Sequence, residues 1–124
     1  MSDSEKKEII IRVGLDKDAI PESITWLAPG ASKGEEKADA FMLSLFSGGE
    51  KSTLGIDLWT KEMLVGDMNI FFFQALKKMA DVLERATQDK EAAQMVRDFS
   101  REFGRKVKLL QDSGSAGSSA SGTP

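Results

Sequence analysis

Residues 54–87 read "LGIDLWTKEMLVGDMNIFFFQALKKMADVLERAT", and the spacing of their apolar side chains changes part-way along the stretch. At its start apolar residues occupy alternate positions, so Asp57 and Trp59 point to the same face of an extended chain. From Asp67 onward apolar residues recur every three or four positions, which is the period of an amphipathic helix. The stretch therefore predicts a strand followed by a long helix, with Asp67 as the N-cap.

Three earlier segments also have strand character. "KEIIIRVGLD" (7–16) is rich in β-branched residues, and "SITWLAP" (23–29) is a shorter segment that ends at Pro-Gly. "AFMLSLFSGG" (40–49) alternates in the same way and leads into the fourth strand through "SGGEKS". There Gly48 and Gly49 are expected to supply the positive φ of a hairpin turn. The polar stretch 30–39 is predicted to be a loop.

A second helical pattern covers residues 88–110, with Asp89 as a plausible N-cap. Because the connection between the two helices is short, they are expected to be antiparallel neighbours. Strands grouped before helices are typical of an α+β domain. The predicted fold is a four-stranded antiparallel sheet followed by two long antiparallel C-terminal helices. The predicted apolar stripes are Met68, Phe72, Ala75, Leu76, Met79, Leu83 and Ala86 on the first helix, and Ala92, Val96, Phe99, Phe103, Val107 and Leu110 on the second.

The two ends of the chain differ in composition from the rest. Residues 112–124 are almost all Gly, Ser and Ala, and such a stretch buries too little apolar surface to offset the entropy of ordering it. Residues 1–6 are mostly polar. The sequence therefore predicts one α+β domain over 7–111, between a disordered N-terminus and a disordered tail.

Composition excludes several kinds of chemistry. The net charge of −3 does not favour non-specific binding to nucleic acid. The absence of cysteine and histidine removes thiol catalysis, thiolate metal sites and the usual general base near neutral pH. No cofactor or metal is expected. No apolar run approaches the length of a membrane span, so we expect no membrane insertion and a cytoplasmic location.

Acidic residues give only weak indications of catalysis. Asp57 lies inside an apolar segment. In an enzyme, Asp57 and Glu62 would have to line a pocket that raises the pKa of the Asp57 carboxyl. An acid on the outer face of a strand is more often solvated or paired with a lysine. Asp16 and Asp18 lack the density of oxygen ligands found in a calcium loop and are interpreted as turn residues. The chain is predicted not to be an enzyme.

Apolar residues in excess of one core point instead to a contact surface. Aromatic and methionine side chains are typical of such surfaces, and a helix that is apolar nearly all round is either deeply buried or covered by another chain. A second core layer and a homo-oligomer interface both remain open as explanations. The candidate interaction surface consists of Trp26, Met42, Phe46, Asp57 and Trp59 on the strands, with Ile70, Phe71 and Phe73 on the first helix.

Several segments resemble a known family. "AFMLSLF", "IDLWTKEM", the spaced pattern "FF-Q-L--MAD--ERAT" and "MVRDFSREFGRKV" are similar to the gliding motility-associated protein C family, GldC, of Bacteroidetes-type bacteria. The resemblance covers about residues 7–108. The Gly/Ser tail and "MLVGDM" before the first helix depart from the family pattern, and the latter bears on where that helix starts.

The resemblance implies a small cytoplasmic protein without a known catalytic activity. It links the chain to gliding motility and type IX secretion as an accessory component, which we expect to act through protein–protein contacts. Homo-oligomerisation is expected from the surplus of apolar residues described above. Strands followed by two helices also occur in SecB-type export chaperones, so a client-binding chaperone for exported proteins is the alternative. A small enzyme using Asp57 is a remote alternative.

Overall fold

The computed structural model describes residues 5–110, which form five strands and two helices. Contacts divide the chain after Met63 into a strand unit and a helix unit, each described by itself below. The predicted disordered termini lie outside the described residues, apart from Glu5 and Lys6, and the single domain over 7–111 stays a prediction. The elements are β1 (Ile10–Leu15), β2 (Pro21–Leu27), β3 (Glu36–Ala38), β4 (Ala40–Ser47), β5 (Ser52–Trp59), α1 (Val65–Thr87) and α2 (Lys90–Lys106).

The prediction of an α+β chain with strands before helices is confirmed, but the prediction of one four-stranded sheet is wrong. The strands form a three-stranded sheet in the order β1-β2-β3 and a separate two-stranded sheet of β4 and β5. The difference arises in the stretch 30–39, which contains β3 instead of being all loop. β3 reads Glu-Lys-Ala and has no apolar alternation, so its pairing with β2 depends on backbone hydrogen bonds that leave no pattern in the sequence.

The three-stranded sheet is antiparallel and holds the best-buried large side chain of the strand unit. Val13 pairs with Ile24, whose side chain is almost fully buried. The turn between β1 and β2 is fixed by Asp16, whose Oδ1 accepts from the backbone N–H groups of Asp18 at 2.8 Å and Ile20 at 3.0 Å. Such side-chain acceptors replace a backbone turn partner. The interpretation of Asp16 and Asp18 as turn residues is confirmed.

The two-stranded sheet is a hairpin whose strands pair without a break from Ala40↔Trp59 to Ser47↔Ser52. The turn between them is built differently from the prediction. The positive φ belongs to Lys51, at 53°, and neither Gly48 nor Gly49 has one. The expectation that these glycines supply positive φ is therefore wrong.

Both helices form, and their ends differ from the prediction at two points. α1 starts after Leu64, so the prediction of Asp67 as N-cap is wrong. Asp67 lies in the first turn, where its carboxylate accepts from the backbone N–H of Leu64 at 3.2 Å. Asp89 is the N-cap of α2, as predicted, and accepts from the N–H of Ala92 at 2.9 Å. α2 ends at Lys106, earlier than predicted.

The helices are antiparallel neighbours that meet along small side chains. Ala80 of α1 and Ala93, Ser100 and Gly104 of α2 are buried. A helix surface of small residues lets the neighbouring backbone approach closely. Next to this seam, Arg97 Nη2 of α2 pairs with Asp81 Oδ1 at 3.0 Å and with Glu84 Oε1 at 2.9 Å on α1. These two carboxylates raise the pKa of Arg97 above its ordinary value.

The predicted apolar stripes lie only partly along this seam, where Leu76, Leu83, Val96 and Phe103 are half-buried. Phe72 and Met79 of α1 and Phe99 of α2 are exposed, although each belongs to a predicted stripe. Periodicity finds the apolar side of a helix. It does not show which part of that side meets the neighbouring helix, because the closest approach is set by the smallest residues.

Candidate contact surface on the β-hairpin

The register of the β4–β5 hairpin separates its side chains into two faces, because residues directly opposite each other in an antiparallel pair share a face. Phe41 lies opposite Leu58, and the pairs that alternate with it along the hairpin are also apolar on both strands. We call this side the apolar hairpin face. Its members are Phe41, Leu43, Leu45, Leu54, Ile56 and Leu58.

Exposure along the apolar hairpin face increases toward the turn. Phe41 and Leu58 at the base are half-buried, whereas Leu54 near the turn is 60% exposed. The members in between are also exposed. Isolated exposed apolar residues are common on proteins, but a contiguous row of them marks an interaction surface. At the turn Leu45, Leu54 and the neighbouring Phe46 line a surface depression of about 440 Å³.

The other side of the hairpin holds four members of the predicted interaction surface. Asp57 lies opposite Met42, Trp59 lies opposite Ala40, and Phe46 follows Met42 on the same face. All four side chains are exposed, and Phe46 is 66% exposed. Because polar residues such as Ser44 and Asp57 interrupt this side, it is less apolar than the opposite one.

The remaining members of the predicted surface lie elsewhere. Trp26 is a half-buried residue of the three-stranded sheet and lines a cavity of about 240 Å³ together with Ile11 and Phe41. In the helix unit, Ile70 is exposed and Phe71 is half-buried. Phe73 is half-buried against Gly104, and the Lys77 ammonium lies 5.3 Å from the centre of its ring. Whether these residues bind a partner stays a prediction.

Leu43, Leu45, Leu54 and Ile56 were not predicted as contact residues. The alternation of β4 assigns these positions to a face buried against a second layer. A signal was present, since both strands of the hairpin carry large apolar residues on two faces. A single covering layer buries one face of a hairpin, so the large apolar residues on its second face are in excess of what a core requires.

Charged residues of the strand unit are used to fasten loops. Lys61 Nζ lies 2.8 Å from Asp16 Oδ2, and the backbone N–H of Lys61 donates to the carbonyl of Pro21 at 3.2 Å. These contacts tie the segment after β5 to the β1–β2 turn. The hydrogen bond from Lys61, followed by that from the N–H of Ile20, lowers the pKa of Asp16 to about 2.

Glu35 has a similar structural role beside β3. Its carboxylate accepts from the Thr25 hydroxyl at 2.6 Å and from the Arg12 guanidinium at 3.0 Å. These two bonds lower the pKa of Glu35, with the bond from Thr25 as the larger cause. Within residues 5–110 no acidic cluster has the make-up of a metal site. The charged groups with perturbed pKa values in this unit thus stabilise turns and strand edges.

A comparison with protein families identifies the chain. The family described as "Gliding motility-associated protein GldC-like" matches residues 21–109. The chain belongs to the GldC-like family. This confirms the resemblance seen in the sequence, and it associates this GldC-like chain with gliding motility. The match begins at β2, includes the whole β-hairpin and extends past the end of α2.

Comparisons with curated proteins and with solved structures gave no match. Over the part of this GldC-like chain that the structure describes, neither helix combines the length and apolar character needed to cross a bilayer.

Proposed function

We propose that this GldC-like chain is a non-catalytic accessory protein of gliding motility and type IX secretion that works in the cytoplasm through protein–protein contacts. The observation that carries the proposal is the apolar hairpin face, an exposed row of large side chains on regular, well-paired strands. A rigid element that presents contiguous apolar surface is suited to binding another protein.

The proposed occupant is an extended apolar segment of a protein of that machinery. Within residues 5–110, β4 pairs with β5 and with no other strand, so each of these strands presents an open edge. A peptide added at such an edge gains backbone hydrogen bonds, and its alternate side chains contact the face of the sheet. The apolar hairpin face has no charged member, which favours an apolar segment over an acidic or basic one.

The same features support a second candidate, a SecB-like chaperone for exported proteins. A chaperone would use the open edge and apolar face for many unrelated unfolded clients, whereas an accessory protein would bind one specific partner through such a segment. A catalytic role for Asp57 has less support. The side chain is exposed on a strand opposite Met42, which is not the desolvated setting that a tuned acid needs.

The test is complementation of a strain lacking the gene. Leu54→Ser with Ile56→Ser changes the apolar hairpin face. Met42→Ser with Trp59→Ser changes the opposite face of the same strands, away from the depression at the turn, and is the matched control. We expect the first variant to reduce colony spreading and export of type IX substrates while remaining folded by circular dichroism, and the control to retain both functions.

A folded Leu54→Ser/Ile56→Ser variant with full function would contradict the proposed contact role. The chaperone candidate is separated by a second assay. If the wild-type protein suppresses aggregation of several unrelated unfolded proteins, and the same variant fails to do so, client binding is the better description.

A further inference from the structure

The helix unit has a groove along the side on which Arg97 binds its two carboxylates. Two surface depressions form it, one of about 410 Å³ near the connection between α1 and α2 and one of about 310 Å³ farther along the helices. Asp81 and Arg97 line both depressions, so the two adjoin at this ion pair. We call the combined depression the polar groove.

The centre of the polar groove is held by one arginine. Arg97 Nη2 binds Asp81 Oδ1 at 3.0 Å and Glu84 Oε1 at 2.9 Å. Arg97 and Glu84 are half-buried, which shields this part of the groove from solvent. One guanidinium thus serves two carboxylates, and the centre keeps an excess of negative charge.

Each end of the polar groove carries two exposed bases. Arg85 and Lys90 line the end near the helix connection, and Lys77 and Arg101 line the other end. Neither Arg85 nor Lys90 forms an ion pair with another residue between 5 and 110, and neither does Lys77. Arg101 has one contact, of 3.4 Å, with Asp98, which does not line the groove. Both ends therefore offer positive charge to an anion.

This basic character is local. Five bases and two acids line the polar groove, whereas the whole chain has a net charge of −3. A basic groove on a chain of negative net charge does not follow from overall composition. Its field attracts the acidic part of a partner while the rest of the surface does not.

The end of the polar groove at Lys77 also has apolar walls. Phe73 and Leu110 line it, and the Lys77 ammonium lies 5.3 Å from the centre of the Phe73 ring. A carboxylate that pairs with Lys77 therefore has apolar surface beside it. An acidic residue of a peptide with an apolar neighbour matches this setting better than a free inorganic anion does.

The spacing of the two basic ends sets the length of the occupant. A helical rise of about 1.5 Å per residue puts Lys77 about 12 Å from Arg85 along α1, and Lys90 about 16 Å from Arg101 along α2. An extended peptide advances about 3.3 Å per residue, so it covers this distance in about four or five residues. Acids at both ends of such a stretch reach both basic ends of the groove.

Nucleic acid does not match this charge pattern. A strand carries one phosphate per nucleotide, so a strand lying along the polar groove would also place phosphates against Asp81 and Glu84. Like charges opposite each other weaken binding. A peptide with uncharged residues in the middle avoids this repulsion.

We propose that the polar groove binds an extended segment of a protein partner whose acidic residues lie about four or five positions apart, with uncharged residues between them, so that one acidic group pairs with each basic end. Exposed ion pairs are individually weak and are screened by salt, so this contact is transient. The inference does not rest on the contact role proposed for the β-hairpin, because it uses the helix unit alone.

The first experiment measures the binding of two labelled peptides to the full chain by fluorescence anisotropy. The spaced peptide reads Glu-Glu-Ser-Leu-Ser-Glu-Glu, and the contiguous peptide reads Ser-Leu-Ser-Glu-Glu-Glu-Glu, so their composition and charge are equal. We expect the spaced peptide to bind more tightly and to lose affinity as NaCl is raised from about 50 to about 300 mM. No binding, or equal affinity for both peptides, would overturn the proposal. Tighter binding of a short oligothymidylate than of the spaced peptide would assign the groove to nucleic acid instead.

The second experiment locates the bound peptide. Lys77→Gln with Lys90→Gln removes one base from each end and should weaken binding of the spaced peptide at least about fivefold. Lys37→Gln with Lys106→Gln is the matched control. It removes the same charge at two exposed lysines that do not line the groove, and it should bind within about twofold of the wild-type protein. Equal losses in the two folded variants would overturn the proposed site.

A third variant separates the polar groove from the apolar hairpin face. Leu54→Ser with Ile56→Ser changes the hairpin alone and should bind the spaced peptide as the wild-type protein does. Loss of binding in this variant, with the protein still folded by circular dichroism, would place the peptide on the hairpin and overturn the groove as its site.

Discussion

Phe73 lies against Gly104 so closely that a Cβ atom added at Gly104 would come within 2.7 Å of Phe73 Cε1. The glycine therefore makes room for an aromatic ring at the seam between α1 and α2. Leu110 lies against the same glycine, with its Cδ1 atom 2.9 Å from such a Cβ atom, so two side chains would have to shift. The contact between Phe73 and Gly104 limits how closely the two helices approach.

We predict that Gly104→Ala destabilises the protein by about 1 kcal/mol. Alanine gains about 1 kcal/mol in helix propensity, but overpacking costs about 1–3 kcal/mol, so the clash outweighs the gain. Gly66→Ala in α1 is the control, because a Cβ there meets nothing within 4 Å. Urea denaturation should show the control unchanged or more stable. An equal increase in the free energy of unfolding for both variants would contradict the tight contact between Phe73 and Gly104.

We predict that Thr60→Val stabilises the protein. Its side chain is buried, and its hydroxyl has no hydrogen-bond partner within residues 5–110. Replacing an unpaired buried hydroxyl by a methyl group of similar shape should raise the free energy of unfolding by about 1 kcal/mol. Thr60→Ser keeps the hydroxyl and removes the methyl group, so it should lower that free energy by about 1 kcal/mol. Thermal and urea unfolding of the two variants provide the comparison, and a destabilised Thr60→Val would show that the hydroxyl has a partner.

The hairpin of β4 and β5 shows how far sequence reasoning reaches. Its strands follow from alternation, and so does the shared face of Asp57 and Trp59, because both depend on local periodicity. β3 could not be found in this way, because Glu36, Lys37 and Ala38 pair through the backbone. The prediction of a four-stranded sheet was wrong for the same reason, because β3 pairs with the free edge of β2.

The helices show a second limit of the same reasoning. The capping residue Asp89 was found because a cap acts within a few positions of the chain. The most buried positions of the seam, Ala80, Ser100 and Gly104, were not predicted, because the stripes were chosen by the spacing of larger apolar residues. The contact residues of the apolar hairpin face were missed because their exposure depends on what covers them, which periodicity does not report.

The two tryptophans are predicted to differ in their contribution to stability. Trp26 is half-buried beside the cavity of the three-stranded sheet, and Trp59 is an exposed residue at the end of β5. Trp26→Ala should cost about 3 kcal/mol, near the lower end for a buried tryptophan, and Trp59→Ala about 1 kcal/mol. Chemical denaturation with circular dichroism measures both values, and a larger loss for Trp59→Ala would show that Trp59 is part of a core.

The ion pair of Asp16 and Lys61 predicts that the stability of the protein depends on pH in the acidic range. The pKa of Asp16 is lowered from 3.8 to about 2, mainly by the hydrogen bond from Lys61. Because the folded state prefers the charged carboxylate, this contribution is fully present above the ordinary pKa and is lost as the pH falls from about 4 to 2. The raised pKa of Lys61 acts at the other limit, where its contribution is lost only as the pH rises above the ordinary lysine value.

Lys61→Gln should therefore return the pKa of Asp16 toward 3.8 and reduce the loss of stability in acid. Lys17→Gln removes a neighbouring charge that pairs with no residue between 5 and 110, so it should leave the titration nearly unchanged. Carboxyl NMR titration of Asp16, combined with urea midpoints at several acidic pH values, measures both effects. A wild-type Asp16 that titrates near 3.8, or an identical acid dependence in Lys61→Gln, would show that the hydrogen bond does not hold in solution.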